Sequence, residues 1–212
     1  MNNYQQEQLD TLNLIRRHLR GNVAEGIAAL QEKLAAYLRF RKEVDRFLEA
    51  HFSHICTESC YKSRRSACCT RDGVLTFFAD AVINVLESSA DELEALHRAL
   101  TAPHTGSKCI YLGTGGCLWR IKPLVCAMFL CDQAEEKVFS GKASLNDSWQ
   151  GFKEREKSFR WPDQPVLFDD IESVFMADGC SSPLMYLHNS PGLLRVKQMA
   201  HETSRKNNFF TE

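Results

Sequence analysis

The chain lacks an excess of charge of either sign: 26 Lys and Arg stand against 27 Asp and Glu, for a net charge of −1. With the two signs interspersed, the usual electrostatic reason to expect nucleic acid or an anionic membrane as partner is gone. Long apolar runs are also missing, and the uncharged stretch 123–131 is far too short to cross a bilayer. The opening residues, Met1-Asn2-Asn3-Tyr4-Gln5, carry neither the basic segment nor the apolar run of a secretory signal. These absences lead us to expect a cytoplasmic protein in a reducing compartment. There, clustered cysteines mean metal or redox chemistry more often than disulfides. Catalytic signatures are missing as well. Gly113-Thr114-Gly115-Gly116 is followed by no Gly-Lys-Ser/Thr, so it is no phosphate loop, and no nucleophile elbow occurs. No glycine-rich strand-to-helix turn suited to S-adenosylmethionine is found either.

What the chain does have is cysteine. Eight of its nine cysteines fall between Cys56 and Cys131, in two blocks separated by about forty cysteine-free residues. The first block holds Cys56, Cys60 and the adjacent pair Cys68-Cys69; the second holds Cys109, Cys117, Cys126 and Cys131. We read the blocks as halves of one metal site, or of two, closed by the fold. Disulfides are the competing reading. Cys56 and Cys60 share a face if the preceding helix reaches them. Lys62, Arg64 and Arg65 follow at once and are expected to favour thiolates, unless they are simply a solvated loop. A vicinal pair rarely aims both sulfurs at one centre, so we favour Cys69 as ligand. Cys68 is then a second-site ligand, a redox partner or part of the core. His51 and His54 are candidate nitrogen ligands. Cys180, outside both blocks, reads as a small buried apolar residue.

Apolar spacing predicts a mainly α fold, with a small β-hairpin at a cysteine-rich metal site. Leu9, Leu12, Ile15 and Leu19 mark a helix over 4–20, ended by Gly21-Asn22, and a longer helix follows from Val23 to Phe52. The two should form an antiparallel hairpin. Thr76 is the expected cap of a helix over 77–86, with Asp80 and Glu87 on its surface, and Ser89–Glu92 is a capping box for the next. Cys109–Arg120 reads as the hairpin. A four-residue loop pairs Leu112 with Cys117 and sets Cys109 on the opposite face from Cys117; another loop length or a bulge brings both thiols to one side. Pro123 opens a helix over 124–130. Cys126 and Cys131 then serve one ion only if that helix ends near Leu130, and otherwise serve different ions. Helices are expected over 147–159, 166–177, 183–188 and 193–201, with a frayed tail from Ser204. We divide the chain into an N-terminal helical hairpin (1–52), a cysteine-cluster metal-binding domain (53–140) and a C-terminal helical segment packed on it (141–212).

The order of these cysteines resembles the YkgJ-like cysteine-cluster family of bacteria and archaea, described as a zinc- or iron-chelating domain, whose distant relatives include flagellin lysine N-methylase. The family's opening cysteines match Cys56 and Cys60, and its vicinal pair matches Cys68 and Cys69. Its middle segment matches Cys109 through Trp119, its Arg-Pro-x-x-Cys element matches Lys122-Pro123-Leu124-Val125-Cys126, and its last cysteine matches Cys131. Lys122 stands where the family usually has Arg, and the seven residues between Cys60 and Cys68 exceed its usual gap. The resemblance covers about 80 of the 212 residues. It implies a metal-binding protein, or an iron–sulfur-dependent protein-modifying enzyme of the lysine N-methyltransferase kind.

Four thiolates suit either zinc or an iron–sulfur cluster. Eight exceed what one zinc uses, and the apolar stretch Leu124–Leu130 offers the dry wall that clusters prefer, which tips the balance toward iron–sulfur. A closed four-cysteine shell favours a structural metal in a binding or scaffold module, whereas an open position favours an enzyme. Substrate, protein partner and oligomeric state are fixed by no residue pattern.

Overall fold

The computed structural model describes residues 2–66, 68–70, 75–160 and 166–189, and these form a mainly helical protein with one two-stranded antiparallel hairpin. Helix α1 (Asn3–His18) begins with a capping box in which Asn2 accepts from the Gln5 N–H at 2.8 Å. Its buried stripe, Leu9, Leu12 and Ile15, is the one read from the sequence, with Gln5, Gln8 and Thr11 buried beside it. Each of these polar residues is satisfied across the fold. Gln5 donates to the carbonyls of Leu100 and Ala102, Gln8 donates to Thr76 Oγ1 at 2.7 Å, and Thr11 meets Ser182 at 2.6 Å. Thr76 is therefore a buried partner of α1 rather than a helix cap.

The expected long second helix is two helices, α2 (Asn22–Ala28) and α3 (Gln31–Ser53). The chain tightens between them, where Leu30 N–H reaches back only to the Ile27 carbonyl. Gly26 lies inside α2 because α9 (Leu167–Ala177) crosses it closely. A Cβ at Gly26 would sit 2.6 Å from Val174 Cγ1. The expected antiparallel hairpin is not what buries α1, which packs chiefly on α4 (Phe78–Glu87) and α5 (Ala90–Thr101). Helix α5 has the expected capping box, with Ser89 N–H donating to Glu92 at 2.8 Å.

After the hairpin strands β1 (Leu112–Gly113) and β2 (Gly116–Cys117) come α6 (Leu124–Met128), α7 (Asp132–Phe139) and α8 (Ala143–Arg160). Helix α7 had no counterpart in the apolar pattern, and α6 stops short of Leu130. Gly179, at φ 75°, ends α9 as expected, and α10 (Tyr186–Asn189) is shorter than the predicted 183–188 helix at its start. The predicted helix over 193–201, the tail and Trp161-Pro162 lie outside the described residues. No helix among the described residues is long and apolar enough to cross a membrane.

One core runs through all of this, from Leu9 and Ile15 through Tyr37, Phe40, Phe78 and Leu124 to Trp149, Phe168 and Phe175. Helices α3 and α8 meet through rings: Phe47 stacks on Trp149 at 5.8 Å, and Tyr37 and Phe40 lie against Phe159. A second, smaller cluster joins Phe52 at the end of α3 to Ala134 and Val138 of α7.

The close crossing of α2 and α9 yields a sign test. Alanine at position 26 gains about 1 kcal/mol of helix propensity, but forcing a methyl onto a stiff β-branched neighbour costs about 1–3 kcal/mol. Gly26→Ala should therefore lower the unfolding free energy. In a Val174→Ala background the same change should raise it, as thermal or urea melts of the four proteins will show.

Candidate metal centre

Helix α3 does not stop at the first cysteines but continues as a π-helix, His54–Tyr61. Its bonds span five residues, Lys62 N–H to Thr57 O at 2.9 Å and Arg65 N–H to Cys60 O at 3.0 Å. A helix closed this way turns more slowly than an α-helix, which brings Cys56 and Cys60 closer to one direction than an α-helix would. None of its residues is buried. The Phe52–Ala134–Val138 cluster fixes where it emerges, beside the start of α7, whose N-cap residue is Cys131.

The two blocks meet through backbone. Thr70 and Lys108 form an antiparallel bridge, and Cys109 N–H donates to the Cys69 carbonyl at 2.9 Å. The Lys108 ammonium also reaches the carbonyls of Arg65 and Ser66. In the hairpin Leu112 pairs with Cys117, the register of the four-residue loop. The parity argument nonetheless does not reach Cys109, because the chain turns there, with Leu112 N–H donating to Cys109 O at 3.1 Å. Tyr61, at the end of the π-helix, clips the hairpin turn: its hydroxyl donates to Thr114 O at 2.5 Å, with Gly113 O at 3.0 Å.

Three buried polar side chains hold the turn that leads into Cys126. Asn84 Oδ1 accepts from Ile121 N–H at 2.9 Å, Arg41 Nη1 donates to the Lys122 carbonyl at 2.8 Å, and Asp80 Oδ1 accepts from Leu124 N–H at 2.9 Å. The other carboxylate oxygen of Asp80 accepts from Phe77 N–H at the start of α4. Asp80, expected on the surface, is thus only 2% exposed. Burial raises its pKa to about 6 even with both N–H donors in place. Glu87 is exposed, as expected. Nothing in the sequence marked Arg41, Asp80 or Asn84 as part of the site, although Asp80 and Asn84 lie four apart on one helical face.

Electrostatic reach sorts the eight thiols into two neighbouring sets. Cys69 responds to Cys109, Cys117 and Cys126, and Cys109 and Cys126 each respond to Cys117. Cys56 responds to Cys68, Cys131 and Cys60. Cys126 also senses Cys68, so the sets adjoin. The first set is half-buried throughout, whereas Cys56 and Cys68 are exposed. Burial pushes the Cys109 and Cys126 thiols up to about 11, and raises Cys117 and Cys56 too. Cys68 hydrogen-bonds to Cys69, which holds Cys68 up and Cys69 down, so Cys69 is the readier thiolate of the pair. Among the described residues, Lys122 is a cation that lowers the thiols of Cys56, Cys68, Cys117 and Cys126. Of the basic residues expected in that role, Lys62 pairs instead with Glu58 at 2.7 Å. His51 lies edge-on to Phe47, with ring centroids 4.8 Å apart, and His54 is exposed.

All eight cysteines carry free thiols, so no disulfide links the blocks. Sulfurs sharing one zinc at about 2.3 Å lie about 3.8 Å apart. Among the described residues no three of the eight sulfurs come within 4.8 Å of one another, so a shared ion would require the thiols to draw together. The group that does meet that limit is His18, Asp178 and Cys180. No family model matches the chain, and neither does a curated protein or a solved structure.

The double role of Asp80 can be tested by mutation and pH. Asp80→Asn keeps one acceptor for two N–H donors and should destabilise the metal-free protein by about 1–3 kcal/mol. Because the folded pKa is raised, the carboxyl's contribution is fully present below its unfolded pKa and is lost as pH rises through about 6. Melts between pH 4 and 7 should show this downward component in the wild type and lack it in Asp80→Asn.

Proposed function

We propose that this is a metal-binding protein that holds zinc or an iron–sulfur cluster through two adjacent cysteine quartets. Cys69, Cys109, Cys117 and Cys126 form the inner quartet, and Cys56, Cys60, Cys68 and Cys131 the outer one. The observation that carries this reading is that backbone joins the two blocks, Cys109 N–H to the Cys69 carbonyl at 2.9 Å beside the Thr70–Lys108 bridge, which places thiols of both blocks side by side. A trivalent or divalent metal centre supplies the positive charge that half-buried, proton-holding thiols lack, and it releases their protons on binding. Four thiolates satisfy either zinc or an iron–sulfur centre. In this assignment Cys126, within α6, and Cys131, at the start of α7, serve different centres, although α6 ends at Met128 and so would also let both reach one ion.

The role that fits is structural: the metals fasten the π-helix, the hairpin and the α6–α7 turn into one rigid surface. Those elements have little core of their own, and a structural zinc contributes roughly 10–16 kcal/mol of apparent binding energy. That rivals the whole stability of a domain, about 5–15 kcal/mol. Metal analysis and an absorption spectrum of protein purified without oxygen test the assignment. Iron with visible absorption identifies a cluster, and a colourless zinc protein identifies zinc. A chain that holds neither, before or after reconstitution, refutes the reading.

Cys126→Ser should lose the inner centre and Cys131→Ser the outer one, each reducing metal content by a centre. A strong chelator should raise amide hydrogen exchange across 54–66 and 108–131. It should leave α1, α4, α5 and α9, which lie in the main core, protected.

A further inference from the structure

Helices α1 and α9 end side by side, and three ligand-type side chains gather where they do. Gly179 turns the chain after α9, with Gly179 N–H on Met176 O and Cys180 N–H on Phe175 O, both at 3.0 Å. The residues flanking that glycine, Asp178 and Cys180, thereby come against His18, the last residue of α1. The donor atoms of all three lie within 4.8 Å of one another.

We propose that His18, Asp178 and Cys180 form a mononuclear site for a zinc-class divalent cation, with a fourth position open to solvent. The site is independent of the cysteine quartets. Four features support it. His18 Nδ1 lies 3.0 Å from the Leu14 carbonyl, which can only accept; Nδ1 therefore carries the hydrogen and the neutral ring presents its lone pair at Nε2. That same Nε2 lies 3.9 Å from Asp178 Oδ2, too far for a direct hydrogen bond. Two donors bound to one zinc stand about 3.3–3.8 Å apart, so a small closure around an ion suffices. Third, the site receives the carbonyl ends of two helices, of 16 and 11 residues, whose dipoles favour a cation there. Arg17 opposes this field, and burial and Asp178 raise the Cys180 thiol, which Arg17 only partly offsets. Last, one sulfur, one nitrogen and one carboxylate oxygen make the mixed set that zinc accepts, and three protein ligands leave a coordination position free.

A cysteine–histidine–aspartate nucleophilic triad is the other chemistry these residue types allow. It requires thiol and carboxylate on opposite ring nitrogens. Here Nδ1 is taken by backbone and Asp178 lies on the Nε2 side, which leaves no opposite ring nitrogen free for a relay, so the arrangement suits chelation instead.

Cadmium titration of the intact protein, followed by cadmium NMR, separates this site from the quartets because shielding depends on the number of sulfur ligands. We expect one resonance of single-thiolate type, one equivalent per chain, beside the thiolate-rich signals. It should vanish in His18→Gln and in Cys180→Ser and persist in Cys126→Ser. Should Cys180→Ser disturb folding, His18→Gln decides, since His18 is partly exposed and only its ring contacts change. A wild-type spectrum with thiolate-rich signals alone, or one unchanged in His18→Gln, overturns the proposal. Loss of the thiolate-rich signals in the wild type would instead count against the cysteine quartets.

Discussion

A turn of backbone can be buried only if something takes its hydrogen bonds, and between Ile121 and Leu124 neither helix nor sheet does so. Arg41 from α3 and Asp80 and Asn84 from α4 take them instead. Each unmet group would cost on the order of 1–3 kcal/mol, so this small polar knot decides where the chain runs. Cys117 lies just before the turn and Cys126 just after it. Both thiols inherit their positions from three side chains that carry no metal chemistry. The knot also explains why a carboxylate and a guanidinium tolerate burial in an otherwise aromatic core.

The rest of the cysteine region is held by thin attachments. The π-helix leans on Phe52 and on the phenol of Tyr61, and the 69–70 segment on one bridge and one backbone bond. Such elements are locally weak whatever the strength of the main core. A metal is the natural way to stiffen them, because its binding energy acts where apolar burial is smallest.

How legible this was in the sequence differs from element to element. The helix starts with strong local chemistry, Ser89–Glu92 and the stripe of α1, were read correctly because neighbouring residues determine them. The break at Ala29–Leu30 leaves no mark in the sequence, since the apolar stripe of α2 continues into α3. Helix α7 was missed because two buried residues, Ala134 and Val138, are too few to set a period. For the site, cysteine order drew attention to the right region. It could not show that Lys122 faces the thiols, because that depends on the 121–124 turn. The parity argument for Cys109 and Cys117 assumed an extended strand where the chain in fact turns. Asp80 reads as a surface residue on charge alone; its burial follows from pairing with the Leu124 N–H, 44 positions away. Cys180 was set aside as isolated, and its neighbours His18 and Asp178 come together only in the fold.

The bond between Cys109 and Cys69 closes a loop of about forty residues, and that loop is not slack chain. It is largely α4 and α5, both fastened to α1. The entropy of bringing the blocks together is thereby met by ordinary helix packing, and little chain search is left for an arriving ion. In the proposed metal-binding reading, the cysteine-free helices would dock before the thiols meet an ion. A helix with no cysteine of its own, α1, thereby helps to hold together thiols that begin more than 50 residues downstream of its start.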